Sequence, residues 1–210
     1  MSQQPELIET ILAAADGDMP LLARHLDRLQ ASADALGYPC DRHAAERALR
    51  TLAASLSTSG AHRLRLLLDA SGRRTLQAST LLPLLPGQTI VLASAALDPD
   101  EPLLRHKTTH RPWYEEAAAW LPSHAHVFDL VYQNSRGELC EGSRSNLYLK
   151  LDGEWYTPPT SSGCLPGVQR AALLAAGQVE ERTLPAALLH EAQALRVSNA
   201  LRGWLDVTLA

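Results

Sequence analysis

The strongest constraint on the fold is a change of hydrophobic period along the chain. After the Asp16-Gly17-Asp18 turn, Leu22, Leu26, Leu29, Ala33 and Leu36 form one apolar stripe at helical spacing. That stripe predicts a helix with Pro20 in its first turn and Gly37 at its end. Asp41 can cap a second helix over residues 42–57, with Ala44, Ala48, Leu49 and Leu52 on its apolar side. Residues 6–13 upstream read as a strand with mixed faces. Beyond Ser57-Thr58-Ser59-Gly60 the period drops to two: His62-Arg63-Leu64-Arg65-Leu66 alternates, and residues 75–80 make a hairpin partner across Ala70-Ser71-Gly72-Arg73. Residues 89–93 add a further strand.

The polar, proline-rich run Leu97-Asp98-Pro99-Asp100-Glu101-Pro102 reads as a linker. The expected division is therefore an N-terminal α+β domain over residues 1–97, a linker over 98–106 and a C-terminal domain over 107–210. The second part reads as strand-rich. A helical stretch at 112–120 precedes strands at 124–132, 138–141, 146–151 and 154–157. Then come a helix over 168–176, a strand near 179–182, a short helix capped by Thr183, and strands at 194–198 and 204–209. A helix-rich first third and a strand-rich remainder make the fold α+β.

Composition narrows the function classes. Net charge is −4 with basic residues scattered, so no nucleic-acid surface and no polybasic membrane patch are expected. No apolar run reaches the roughly 20 residues that cross a bilayer, and the N-terminus lacks a signal-peptide pattern. Cys40, Cys140 and Cys164 are widely spaced and suit free thiols in a reducing compartment. A cytoplasmic location is expected. His124 and His126 share a strand face without a further ligand at metal spacing, so no metal is expected.

Within Arg105-His106-Lys107-Thr108-Thr109-His110-Arg111 stands one of only two lysines, against seventeen arginines. Lysine can lose its proton and act as a nucleophile, whereas arginine holds its charge. The turn Glu141-Gly142-Ser143-Arg144-Ser145-Asn146 concentrates polar groups between two strands. The loop from Thr157 to Leu165-Pro166-Gly167 opens onto a helix N-terminus, whose free N–H groups and dipole favour an anion. In His25-Leu26-Asp27-Arg28-Leu29, Arg28 lies at the edge of the buried stripe and could add a fixed positive charge.

In this order, the HLDRL helix, the Lys107 stretch, Glu141-Gly142-Ser143-Arg144-Ser145-Asn146-Leu147, Thr157-Pro158-Pro159 and Leu165-Pro166-Gly167-Val168-Gln169-Arg170 resemble the class IV (fold-type IV) pyridoxal-phosphate aminotransferases and lyases. Lys107-Thr108-Thr109-His110-Arg111 with Ser198-Asn199-Ala200-Leu201-Arg202-Gly203 is most similar to the aminodeoxychorismate lyases of that family. The resemblance implies a two-domain fold like D-amino-acid aminotransferase, with a smaller N-terminal α+β domain and a strand-rich C-terminal domain. It implies pyridoxal 5'-phosphate as cofactor, a small-molecule substrate and a homodimer. Lys107 would carry the cofactor covalently and shuttle the substrate proton. Glu141 would face the pyridine nitrogen, and Arg28, with N–H groups at Gly167, Val168, Gln169 and Asn199, would hold the phosphate. Thr10 matches the threonine that the lyases carry near the reacting carbon, while Arg111, Tyr114 and Arg144 are candidates for substrate carboxylates.

The chain departs from the family pattern at three positions. Leu12 stands where many relatives have arginine, Gln169 where aminotransferases often place threonine, and Tyr114 lies farther from the lysine than the tyrosine of branched-chain aminotransferases. The activity implied first is conversion of 4-amino-4-deoxychorismate to 4-aminobenzoate and pyruvate, as in folate biosynthesis. Transamination of branched-chain or D-amino acids is the alternative, and a non-catalytic relative the third possibility.

Overall fold

The computed structural model describes residues 4–210. Its secondary structure follows the expected change of period. Strand β1 (Leu7–Ala13) precedes helices α1 (Leu22–Leu36) and α2 (Arg42–Ala54), then β2 (His62–Leu68), β3 (Arg74–Thr80) and β4 (Thr89–Leu97). After them come α3 (Glu115–Trp120), β5 (Val127–Asn134), β6 (Leu139–Gly142), β7 (Asn146–Leu151) and β8 (Glu154–Thr157). The chain closes with α4 (Val168–Ala175), β9 (Glu180–Glu181), β10 (Ala194–Asn199) and β11 (Gly203–Leu209).

Two compact units result. Among the described residues, one comprises 4–83 with His106–His110; the other comprises Leu84–Arg105 with Arg111–Ala210.

In the first unit, β1, β2 and β3 form an antiparallel sheet in that order. Leu64, Leu66 and Leu68 are fully buried and share a core with Leu7, Ile11, Leu26, Leu29 and Ala33. The alternation of β2 and the stripe of α1 thus meet on one face. Gly37 ends α1 in the left-handed conformation (φ 71°) that glycine adopts without a Cβ clash. Asp41 caps α2 by accepting the Ala44 N–H at 2.9 Å, a contact that stabilises such a helix by about 1 kcal/mol.

In the second unit β10 pairs with both β11 and β7, so six strands in the order β7-β10-β11-β4-β5-β6 close into a barrel from which β8 and β9 extend. Closure leaves these strands without free edges. Ile90, Phe128, Val131, Leu147, Leu149 and Val197 fill one core cluster of this unit.

The structure draws the division differently from the sequence. β4, expected in the N-terminal domain, pairs in parallel with β5 and β11 and belongs to the barrel. Parallel neighbours need a crossover of a dozen or more residues. The stretch read as a linker, 98–106, begins that crossover, and His106–His110 in its middle joins the first unit.

Two local expectations also change. Thr183 caps no helix: Leu184 and Pro185 run beside β6, with Leu139 N–H donating to Leu184 O (2.7 Å) and Ala186 N–H to Gly137 O (2.9 Å). Pro185 disfavours helical geometry in the residue before it, and the short 3-10 turn Ala186–Leu189 starts only afterwards. His124 and His126 precede β5, and His124 stacks on Trp120 at 3.5 Å between ring centroids. No helix among the described residues is long and apolar enough to cross a membrane.

Candidate active site

Lys107 is held through its backbone. Its carbonyl accepts the Ile8 N–H at 2.7 Å, and Glu6 and Thr109 exchange hydrogen bonds on the next rung. Residues 107–109 therefore lie along the edge of β1 that β2 leaves open. Thr108 is fully buried, and its Oγ1 donates to His110 O at 2.9 Å. The Lys107 side chain is half-buried.

β1 also carries Glu9, which the sequence reading passed over. Leu7, Glu9, Ile11 and Ala13 alternate onto the core face, so a carboxylate sits among apolar side chains with 3% exposure. It faces His25 and Arg28, one helical turn apart on α1. Arg28 Nε donates to Oε1 at 2.9 Å, Arg28 Nη2 donates to Oε2 at 2.6 Å, and His25 Nδ1 lies 2.6 Å from Oε2. An ionised carboxylate accepts only, so the His25 proton resides on Nδ1.

Burial alone would push the Glu9 carboxyl up. The Arg28 charge and the hydrogen bonds from His25 and Arg28 outweigh it and bring the value down to about 2. A depressed carboxylate pKa stabilises the fold above the unfolded-state value, and that contribution disappears as pH falls through the folded value. The effect is worth roughly 3 kcal/mol for a shift of this size. In denaturant melts, the stability gap between wild type and Glu9→Gln is expected to shrink as pH falls from about 5 to about 2. A gap independent of pH would contradict an ionised Glu9.

Thr10 points to the opposite face of β1. Its cross-strand partners across the sheet are Arg65 on β2 and then Gln77 on β3. Arg65 Nε is buried and has no hydrogen-bond partner among the described residues. Arg63 stands opposite Leu12, so two arginines share the strand face on which Leu12 departs from the family pattern.

In the second unit Glu141 stands next to the end of β6 with 4% exposure. Its Oε1 accepts the Tyr114 hydroxyl at 2.7 Å, and Asn146 Nδ2 lies 3.5 Å from Oε2, the outer limit of a hydrogen bond. Burial, with the Glu141 charge beside it, raises the Tyr114 phenol well above its ordinary value, so Tyr114 stays a neutral donor. Arg111 lies over the Tyr114 ring at 4.5 Å and donates to Ser143 O at 2.6 Å. Arg144 donates from Nε and Nη2 to Phe128 O.

The turn carrying Ser143 and Arg144 is wound around Asp129, a fully buried carboxylate on β5 also missed in the sequence. Asp129 accepts from Ser143 N–H (3.0 Å), Ser143 Oγ (2.6 Å), Arg144 N–H (2.9 Å) and Ser145 Oγ (2.6 Å). A Cβ on Gly142 would lie 2.2 Å from Asp129 Oδ2. The signal was present: an aspartate inside the run Val127-Phe128-Asp129-Leu130-Val131-Tyr132 is rarely buried without a network of donors.

Gly167 is the N-cap of α4, and no side chain caps that end. The first N–H groups, at Val168 and Gln169, have no intrahelical acceptor and point outward with the positive end of the helix dipole. Asn146 braces this end: its Nδ2 donates to Leu165 O at 3.0 Å. A Cβ on Gly167 would fall 1.9 Å from Asn146 Oδ1. Gly167→Ala must therefore displace a buried, hydrogen-bonded side chain, and is expected to cost about 1–3 kcal/mol of stability. Thermal or denaturant melts measure this, and an unchanged midpoint would contradict the rigid Asn146 brace. Asn199 ends β10, where its Oδ1 accepts the N–H groups of Leu201 (3.1 Å) and Arg202 (3.0 Å) in the turn to β11 and its Nδ2 donates to Arg144 O (3.2 Å).

These donor sets fit a pyridoxal-phosphate enzyme of fold type IV. A buried carboxylate that receives a neutral hydroxyl suits a protonated pyridine nitrogen, and an uncapped, glycine-opened helix suits a phosphate. The amino-transferase class IV family profile matches residues 6–210, and the chain belongs to that family. It is a pyridoxal-phosphate-dependent lyase or aminotransferase of class IV.

Over 190 residues, 85% of this chain and 77% of the relative, it is 30% identical to a Schizosaccharomyces pombe protein named "putative aminodeoxychorismate lyase". A solved structure from Mesorhizobium loti, described as a "putative amino-acid aminotransferase", shares 36% identity at a TM-score of 0.90, covering 99% of this chain and 100% of that one. The 4-amino-4-deoxychorismate lyase of Pseudomonas aeruginosa shares 26% identity at a TM-score of 0.81, covering 96% of this chain and 82% of that one.

Proposed function

We propose that the protein is a pyridoxal-phosphate-dependent lyase converting 4-amino-4-deoxychorismate to 4-aminobenzoate and pyruvate. The observation that carries this choice over transamination is Thr10, a hydroxyl at the position where the lyases hold a threonine near the reacting carbon. It shares its cross-strand row with Arg65, whose buried Nε has no partner among the described residues. An arginine suits the carboxylates of a chorismate-type substrate. Lyases and aminotransferases of this family share the cofactor, so the decision rests on substrate-side residues.

Each residue has a separate task. Lys107 would hold the cofactor through its amine, and that amine would take the proton from the amine-bearing ring carbon of the substrate. The bond from the neighbouring ring carbon to the enolpyruvyl oxygen breaks, the ring becomes aromatic, and the leaving enol takes up a proton to become pyruvate. The bound cofactor supplies the electron sink for that proton's removal. Glu141 keeps the pyridine nitrogen protonated, and Tyr114 fixes the carboxylate by donating to it. Arg28 and the N–H groups at Val168, Gln169 and Asn199 would hold the phosphate; the Gly167 N–H, expected to join them, donates to Leu165 O at 2.8 Å instead, so Gly167 would serve by keeping the helix end open. Arg111 and Arg144, which brace the Ser143 turn, remain the carboxylate-facing arginines of this unit.

The test supplies aminodeoxychorismate to the purified protein with added cofactor. Stoichiometric 4-aminobenzoate and pyruvate are expected. Keto-acid formation from amino acids without 4-aminobenzoate would favour the second reading, an amino-acid aminotransferase. The full-length likeness to the Mesorhizobium loti structure supports that alternative. A cytoplasmic homodimer accompanies either reading, and sizing by light scattering checks the dimer.

A further inference from the structure

Glu9 is a buried charge that the proposed chemistry does not use. Apolar replacements of buried ion pairs are often neutral or stabilising, so its retention does not follow from stability alone. Its contacts are organised around one guanidinium. Two carboxylate oxygens face the Nε–Nη2 edge of Arg28 at 2.9 and 2.6 Å, a two-point grip that fixes the plane of the guanidinium as well as its position. His25, three residues earlier on the same face of α1, fixes Oε2 from the other side. The Arg28 side chain has 11% exposure and leaves little room for another rotamer.

We propose that Glu9 is a positioning residue for phosphate recognition: its grip on one edge of Arg28 sets the direction in which the guanidinium end meets the cofactor phosphate. The inference rests on the assignment of Arg28 to the phosphate made above. It also makes a choice between two opposing effects. If charge dominated, removing the Glu9 carboxylate would make the arginine a stronger anion site. If orientation dominates, the site weakens, because the guanidinium loses its plane and regains rotamer entropy.

The experiment compares two ligands that differ only in the phosphate. Dissociation constants of pyridoxal phosphate and pyridoxal are measured by tryptophan fluorescence on the apo full-length protein, for wild type, Glu9→Gln, Glu9→Asp and Arg28→Gln. Glu9→Gln is expected to weaken pyridoxal phosphate about tenfold or more, equal to about 1.4 kcal/mol, while pyridoxal binding stays within about twofold. Glu9→Asp keeps the charge but withdraws it by one methylene, and is expected to show a smaller loss of the same kind. It decides the matter if Glu9→Gln does not fold. Tighter pyridoxal phosphate binding in the Glu9 variants, or equal loss of both ligands, would overturn the proposal. So would a wild-type ratio in both Glu9 variants when Arg28→Gln abolishes the preference for the phosphorylated ligand. A wild-type ratio in Arg28→Gln would reject the phosphate assignment of Arg28, and the proposal with it.

Discussion

Lys107→Ala and Lys107→Arg are both expected to lower turnover by about 1,000-fold or more, the upper part of the range for losing a positioned acid–base group that also forms a covalent bond. The arginine variant is the more informative. It preserves charge, length and the backbone pairing of residues 107–109 with β1, so folding should be unaffected. Guanidinium keeps its proton and cannot take over the amine's chemistry. Alanine removes the side chain, and an added small amine could then recover part of the proton transfer. Single-turnover assays at saturating cofactor measure both variants. Turnover of Lys107→Arg within tenfold of wild type would show that this amine is not the nucleophile.

Glu141→Gln is expected to reduce turnover on the order of 100- to 1,000-fold, the scale of removing one preorganised electrostatic contact. The substitution is nearly isosteric, and its amide oxygen can still accept the Tyr114 hydroxyl, which lies 2.7 Å from the native carboxylate. On the proposed assignment of Glu141, what changes is the charge opposite the pyridine nitrogen: a neutral amide would no longer hold that nitrogen protonated, and the cofactor would be a poorer electron sink. The loss should fall on kcat with little change in cofactor affinity, read from the dissociation constant of the reconstituted protein. A loss confined to cofactor affinity, with normal turnover at saturation, would mean that Glu141 acts only as a binding group.

The elements most legible in the sequence were those with local causes. The α1 stripe, the Asp41 cap and the β2 alternation each depend on residues within a few positions of one another, and each appears in the structure near its expected bounds. Pairing between distant strands was not legible. Nothing in Thr89–Leu97 tells that it joins β5 and β11 in parallel rather than the β1–β3 sheet, because that choice is made by residues more than thirty positions away. The error about the linker followed from it: a proline-rich polar run between two strands looks the same whether it joins domains or begins a crossover.

Of the candidate residues, the fold brings Tyr114, Glu141 and Asn146 into one hydrogen-bonded chain that extends to the loop before Gly167. In sequence these residues are separated by turns whose closure cannot be read in advance. Glu9 and Asp129 show a different kind of omission. Each is an acid at a position where strand alternation or an apolar run predicts burial, and a buried carboxylate requires donors. That conflict was visible in Leu7-Ile8-Glu9-Thr10-Ile11 and in Phe128-Asp129-Leu130. What the sequence withheld was the identity of the donors, His25 and Arg28 in one case and the Ser143–Ser145 turn in the other.

The most direct test of the account is chemical location of the cofactor. Protein reconstituted with pyridoxal phosphate is treated with borohydride, digested, and its peptides mapped by mass spectrometry. A yellow protein is expected, one that bleaches on reduction and carries a single stable secondary-amine adduct on Lys107, lost in Lys107→Arg. An adduct on Lys150, or a colourless protein that remains unmodified at saturating cofactor, would contradict it.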